Sequence, residues 1–241
     1  MGCYLLVHGA WHNGEQWAAV REVLESRGHV VHNPTMGGLR KGDSPNIGLD
    51  DAIAPLAEYI SDQNLDDLVL VGHSWGGVLI SKLAERYPSR IRRLVFQNAF
   101  VLLDGESVLD NLPPSLRLAL RLWCEQRGDG TVMLPFSAWR DVYMNDADLD
   151  MARRTYDDLR PQPIRPLAES VDMKRFYALD LPKSYINALD DNGLLQGEWG
   201  WHPRMSNRLG QFRLVQMPGG HEVMFTNPQM LADKIIVAGR D

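Results

Sequence analysis

The 241-residue chain is long enough for one large domain or two small ones, and its 44% hydrophobic and 23% charged residues are those of an ordinary globular protein. A net charge of -6 gives no electrostatic footprint for nucleic acid or an anionic membrane surface, so neither is expected as a partner. Two cysteines, Cys3 in an apolar run and Cys124 in a helical pattern, make neither a disulfide framework nor a metal cluster, and both are expected to be buried free thiols.

In chain order, Met1-Gly2-Cys3 leads directly into Tyr4-Leu5-Leu6-Val7, a short apolar run ending at His8-Gly9. Such a run suits a strand covered on both faces. No basic region, apolar stretch and cleavage site precede it, so no signal peptide is expected and a cytoplasmic location is the default. No run approaches the roughly 18 apolar residues of a membrane span. Residues 15–27 carry Trp17, Val20 and Leu24 at helical spacing, and Gly28 stands where a glycine favours helix termination. His29-Val30-Val31-His32 reads as a second strand closed by Asn33-Pro34, followed by a loop marked by Gly37, Gly38, Gly42, Asp43 and Pro45. Residues 49–63 place Ile53, Leu56, Ala57 and Ile60 on one helical face. Leu68-Val69-Leu70-Val71 is a third strand, a helix is expected over 76–87, and Ile91 to Phe96 is a fourth strand. Strand alternating with helix in this way implies an α/β fold, with an open, mostly parallel sheet of about six strands and helices on both faces.

The rhythm breaks after Asn98. Residues 100–180 show no strand alternation, hold candidate helices near 115–127 and 146–159, and carry Trp123, Phe136, Trp139, Tyr143, Phe176 and Tyr177. The expected organisation is a core domain of residues 1–99 and 181–241, interrupted by a helical lid of residues 100–180. The sheet pattern resumes at Ser184–Ala188 and Phe212–Val215, and a last helix is expected over 227–238.

One segment carries chemistry. Gly72-His73-Ser74-Trp75-Gly76 fits G-x-S-x-G, with a strand before it and a helix after it. In that context the serine sits on a sharp turn at the sheet's carboxyl edge, the glycines allow chain and helix to approach, and the helix N-terminus favours developing negative charge. A serine hydroxyl needs a base. His221, in the loop Met217-Pro218-Gly219-Gly220-His221 after the last strand, is the candidate. His8, His12, His29 and His32 lie early in the chain, His73 is in the turn itself, and His202 is the one competitor. A carboxylate must then hold the base. Asp190 and Asp191 both follow the strand near 184–189; Asp191 is preferred, with Asp190 as the alternative. Backbone N–H groups of Trp75, after the nucleophile, and of Ala10, after the first strand, are the candidate oxyanion donors.

Together, Val7-His8-Gly9-Ala10-Trp11-His12, Val71-Gly72-His73-Ser74-Trp75-Gly76-Gly77, Pro218-Gly219-Gly220-His221 and the segment from Ala99 to Ser107 resemble the methylesterase and hydroxynitrile-lyase group of α/β-hydrolases. The resemblance covers the sheet domain well and the lid poorly. It implies the α/β-hydrolase fold and, through Lys183-Ser184-Tyr185-Ile186 followed by the acidic pair, a register that falls on Asp191. Cyanohydrin-cleaving members pair a threonine in the first loop with a lysine after the histidine; Gly9 and Glu222 stand there in this chain, which therefore resembles the hydrolytic branch. Trp75 either narrows the acyl pocket or packs beside the lid.

The expected function is hydrolysis of a small, apolar or aromatic carboxylic ester through an acyl-serine. The alternatives are cofactor-free lyase, oxygenase or cyclase chemistry that uses the His/Asp pair as base, and ligand binding without turnover. Gly9, Trp11, Trp123, Trp139 and Trp199 are the candidate pocket residues. No cofactor or metal is expected: His8 and His12 are four apart but do not share a helical face. A monomer or homodimer is expected.

Overall fold

A computed structural model describes residues 1–240. Its strands, in chain order, are β1 (Cys3–Val7), β2 (Val30–His32), β3 (Leu68–His73), β4 (Ile91–Gln97), β5 (Thr131–Val132), β6 (Gln162–Pro163), β7 (Lys183–Ala188) and β8 (Arg213–Met217). Six of them form one sheet in the order β2-β1-β3-β4-β7-β8, every neighbouring pair parallel. The α/β-hydrolase fold read from the sequence is the fold observed.

Side chains alternate across the sheet, and the two faces have separate cores. Leu6, Val69, Val71, Val95 and Ile186 pack with Val20 and Leu24 of α1 (Ala18–Ser26) and with Leu231 and Ile235 of the helix Pro228–Ala238. Leu5, Val7, Leu70, Leu94 and Phe96 face the other way, onto Ile53 and Leu56 of α2 (Leu49–Asp62) and Leu79 and Leu83 of α3 (Gly76–Arg86). Burial on both faces explains why β1, β3 and β4 read as continuous apolar runs. The helix expected over 15–27 is divided: Asn13 caps a 3-10 turn at Gly14–Trp17 before α1 begins.

Residues between β4 and β7 cover the carboxyl edge of the sheet. They include α4 (Pro114–Arg127), a helix at Leu149–Asp157 capped by Asp148, and the antiparallel pair of β5 and β6. Strands of two residues are too short to carry a period, so that pair was invisible in the pattern. Val132, Leu134, Trp139, Met144 and Phe176 join the same core as the α2/α3 face. Cys3 and Cys124 are free but half-buried rather than buried, each packed against the outside of the core. Among the described residues no helix is long and apolar enough to cross a membrane.

Candidate active site

Ser74 occupies the turn between β3 and α3 with φ +54°, in the left-handed region that costs a non-glycine residue about 1–2 kcal/mol. Three hydrogen bonds hold it there. Ser74 N–H donates to the Gln97 carbonyl at 3.2 Å, and the Ser74 carbonyl accepts from Gly77 N–H at 3.2 Å and Phe100 N–H at 3.0 Å. The flanking glycines are required by contact: a Cβ on Gly72 would lie 2.7 Å from the Gly76 carbonyl oxygen, and one on Gly76 would lie 2.6 Å from that of Val7. The side chain of Ser74 is thus presented, half-exposed, at the N-terminus of an 11-residue helix.

His221 follows β8 and is 2% exposed. Its Nδ1 lies 2.7 Å from Oδ2 of Asp191, a carboxylate with no exposure at all. Gly193 N–H donates to the other oxygen at 2.7 Å, and Asn98 Nδ2 donates to Oδ2. Asn98, at the end of β4 with φ +37°, also donates to the Ala188 carbonyl at 3.2 Å and accepts from Ala188 N–H at 2.7 Å. Two adjacent strand ends are therefore locked together around the carboxylate. Burial pulls the His221 pKa down, but the charge and hydrogen bond of Asp191, with a further contribution from Glu222, outweigh it and leave the value raised. With Nδ1 committed to Asp191, Nε2 is the nitrogen free to take a proton. Trp201 stacks on the imidazole at 5.3 Å between ring centroids and 14° between planes. The His73 ring, 4.5 Å from that of His221, has a pKa well below the usual value through burial first and then the nearby His221 and His12.

Asp190 goes elsewhere. It is exposed, and its carboxylate accepts from Gly219 N–H at 2.8 Å, bracing the loop that carries His221.

The segment after β1 is held by two histidines that the sequence reading set aside. His8 Nδ1 donates to the Gly9 carbonyl at 2.9 Å while Nε2 accepts from Met36 N–H at 3.2 Å. Burial pushes the His8 pKa down to about 3, in keeping with a neutral ring. Gly9 C=O and Ala10 N–H belong to one planar peptide, so fixing the first fixes the direction of the second. His12 Nδ1 donates to the Ala10 carbonyl at 2.6 Å, and its Nε2 lies 3.0 Å from a buried Glu222 oxygen. Trp11, at φ +65°, is tied to the covering segment: its N–H donates to Gln162 Oε1 at 3.2 Å and its indole N–H to the Val132 carbonyl at 3.0 Å.

These groups meet at one cavity of about 40 Å³, room for a few water molecules. Ala10, Trp11, Ser74, Trp75, Phe100, Leu194, Trp201 and His221 line it from the sheet domain; Val108, Leu112, Leu116, Leu120, Tyr143 and Leu167 line it from above. Trp75 is thus both a wall of the cavity and buried in the core (1% exposed). Four expected pocket residues, Gly9, Trp123, Trp139 and Trp199, lie outside this lining. Trp123 is half-buried one helical turn beyond Leu120. Trp139 is fully buried behind Tyr143, its indole N–H donating to the Ala152 carbonyl at 3.1 Å. Trp199 is half-buried beneath the Arg204 guanidinium, 5.1 Å from its ring, and Trp201 takes the place at His221. Gly9 is a spacer: a Cβ there would come 2.9 Å from His73 Nδ1 and 3.0 Å from Ser74 Cβ. Asn98 carried no signal in the sequence, whereas Tyr143 was one aromatic among several in residues 100–180, and Trp201 one of a visible pair, whose orientations were not legible.

Donor atoms of His73, His221 and Glu222 lie within 4.8 Å of one another. Asp191 already holds His221, and Glu222 faces His12, so this cluster is better described as the electrostatic surroundings of the imidazole.

Comparison with known proteins bears on the family and the fold. A family model described as the alpha/beta hydrolase family matches residues 4–234. A carbendazim hydrolyzing esterase from Nocardioides sp. (strain SG-4G) is 29% identical over 260 residues, covering 99% of this chain and 100% of that protein. A pyrethroid hydrolase from Sphingobium wenxiniae is 27% identical over 243 residues, covering 96% and 85%. Among solved structures, an extracellular alpha/beta-hydrolase from a Paenibacillus species, described as sharing structural and functional homology with tobacco salicylic acid-binding protein 2, superposes with a TM-score of 0.98 at 35% identity over 100% of both chains. That protein is described as extracellular, whereas a cytoplasmic location was expected for this one.

Proposed function

The chain belongs to the alpha/beta hydrolase family, and from that premise we propose that it is a serine esterase for small carboxylic esters with an apolar or aromatic acid part. The observation that carries the reading is a strained, half-exposed Ser74 sharing one cavity with a buried His221 whose Nδ1 is held by Asp191 at 2.7 Å.

In the proposed reaction His221 Nε2 takes the Ser74 proton as Oγ attacks the ester carbonyl. Asp191 holds the ring and stabilises the imidazolium. The carbonyl oxygen becomes an oxyanion received by the Ala10 and Trp75 amides, both on residues that line the cavity. His221 gives its proton to the leaving alkoxide, which departs as an alcohol, and an acyl-serine remains. Water, deprotonated by the same imidazole, attacks that ester; the acid leaves and Ser74 recovers its proton. The apolar lining supports an acid part without charge, and the hydrolase names of the relatives support ester hydrolysis.

The test is a panel of activated aryl and alkyl esters with Ser74→Ala and His221→Ala as controls. Hydrolysis lost in both variants is expected. Turnover of a substrate that persists in Ser74→Ala but disappears in His221→Ala would instead indicate base-only chemistry, and tight binding without consumption would indicate a ligand carrier.

A further inference from the structure

Besides that of Ser74, the cavity lining contains one hydroxyl, that of Tyr143. Resting on the esterase reading, we propose that this hydroxyl is a specificity-determining hydrogen-bond donor to the alcohol side of the substrate. The preferred ester then carries an acceptor oxygen or nitrogen in its leaving group, within a few bonds of the ester oxygen.

Tyr143 closes a five-residue π-helical segment, Trp139–Tyr143, in the covering insertion; such widened turns occur frequently at functional sites. The side chain is 8% exposed, yet among the described residues its hydroxyl meets no hydrogen-bond partner. A buried tyrosine hydroxyl ordinarily finds one, because leaving it unpaired forfeits the hydrogen bonds it makes to water. The other unpaired polar groups of the wall, the indole N–H of Trp75 and of Trp201, are sealed within the packing, while the Tyr143 hydroxyl is not. Ligand is the partner this geometry leaves open.

Its position selects the side of the substrate. The Tyr143 ring meets the His221 ring edge-on at 5.5 Å and the Trp11 ring at 6.0 Å, between the base and the loop that carries Ala10. In acyl transfer the base hands its proton to the leaving oxygen, so the alcohol part must pass beside the imidazole. The acid part is then directed toward the apolar wall of Leu112, Leu116, Leu120 and Leu167. Burial, and then the charges of Glu222 and Asp191, raise the phenol's pKa, so the group is an O–H donor at neutral pH and not a phenolate.

Butyl and 2-methoxyethyl benzoate form a matched pair, differing by one CH2 replaced by an ether oxygen. With hydroxide-catalysed hydrolysis as the baseline, the wild-type enzyme is expected to favour the methoxyethyl ester by about tenfold in kcat/KM beyond that baseline. Tyr143→Phe, checked for an intact fold by circular dichroism, is expected to return the ratio to the hydroxide value. A wild-type ratio equal to the hydroxide ratio overturns the proposal without any variant. So does a Tyr143→Phe enzyme that loses both esters equally. Failure of both esters in wild-type protein, with no fluorophosphonate adduct on Ser74, would remove the esterase reading itself; hydrolysis of both with an unshifted ratio removes only the role of Tyr143.

Discussion

The sheet's carboxyl edge and the segment that covers it contribute to the same cavity in different ways. The edge supplies the proposed reactive groups, in positions that are over-determined: Ser74 by three backbone hydrogen bonds, Asp191 by Gly193, Asn98 and His221, and the peptides on either side of Ala10 by His8 and His12. The cover supplies the apolar side chains of Val108, Leu112, Leu116, Leu120 and Leu167 and one hydroxyl, that of Tyr143. The contrast teaches that chemistry and selectivity are separable here. Changes at the edge should act on rate for every ester, and changes in the cover should act on which ester is preferred.

The largest expected effects break the edge. Ser74→Ala and His221→Ala should each lower kcat by about 10⁴–10⁶, measured on any ester the wild type hydrolyses. Asp191→Asn should cost roughly 10³–10⁴ in kcat with the fold retained, because the amide cannot hold the same tautomer or stabilise the imidazolium. Asn98→Ala touches no substrate but leaves the buried carboxylate one donor short. It should reduce kcat about tenfold and destabilise the protein by about 1–3 kcal/mol in chemical denaturation.

The acid–base behaviour sharpens the same contrast. The imidazole must be neutral to act as a base, and its net pKa is raised above the ordinary 6.5. Activity should therefore rise with pH through a midpoint above 6.5, and removing a nearby negative charge with Glu222→Gln should move that midpoint down in the kcat/KM profile. His8 has the opposite sign. Its folded pKa of about 3 lies below the unfolded 6.5, so the stability it contributes is present above pH 6.5 and is lost as pH falls toward 3. Acid denaturation of His8→Asn should begin at lower pH than that of the wild type.

The smallest effect on rate is expected from the cover. Leu120→Ala should change kcat on a small acetate ester less than threefold while improving kcat/KM for bulkier acids. A uniform loss across acids of all sizes would erase the distinction between the two regions.

This division also explains what was legible in the sequence. β1, β3 and β4 are buried on both faces, so their apolar runs announced themselves, and the turn at Ser74 needs glycines at 72 and 76 for reasons of contact that any chain must obey. The positions of Asp191 and His221 were readable because each follows closely on the end of a late strand, Ala188 of β7 and Met217 of β8. Asn98 was not readable because its value lies in a contact 93 residues away. The pocket aromatics were not readable because orientation, not composition, decides which indole faces the cavity. Trp199 and Trp201 differ by two positions and end up under Arg204 and on His221 respectively.

The most direct measurement is reaction of the purified protein with a fluorophosphonate probe, followed by peptide mass spectrometry, with Ser74→Ala and His221→Ala in parallel. A single adduct on Ser74 in the wild type, absent in Ser74→Ala and formed at least a hundredfold more slowly in His221→Ala, is the expected result. Folded wild-type protein that takes no adduct at Ser74, or that labels equally fast without His221, would contradict the proposal that this serine is a nucleophile activated by that base.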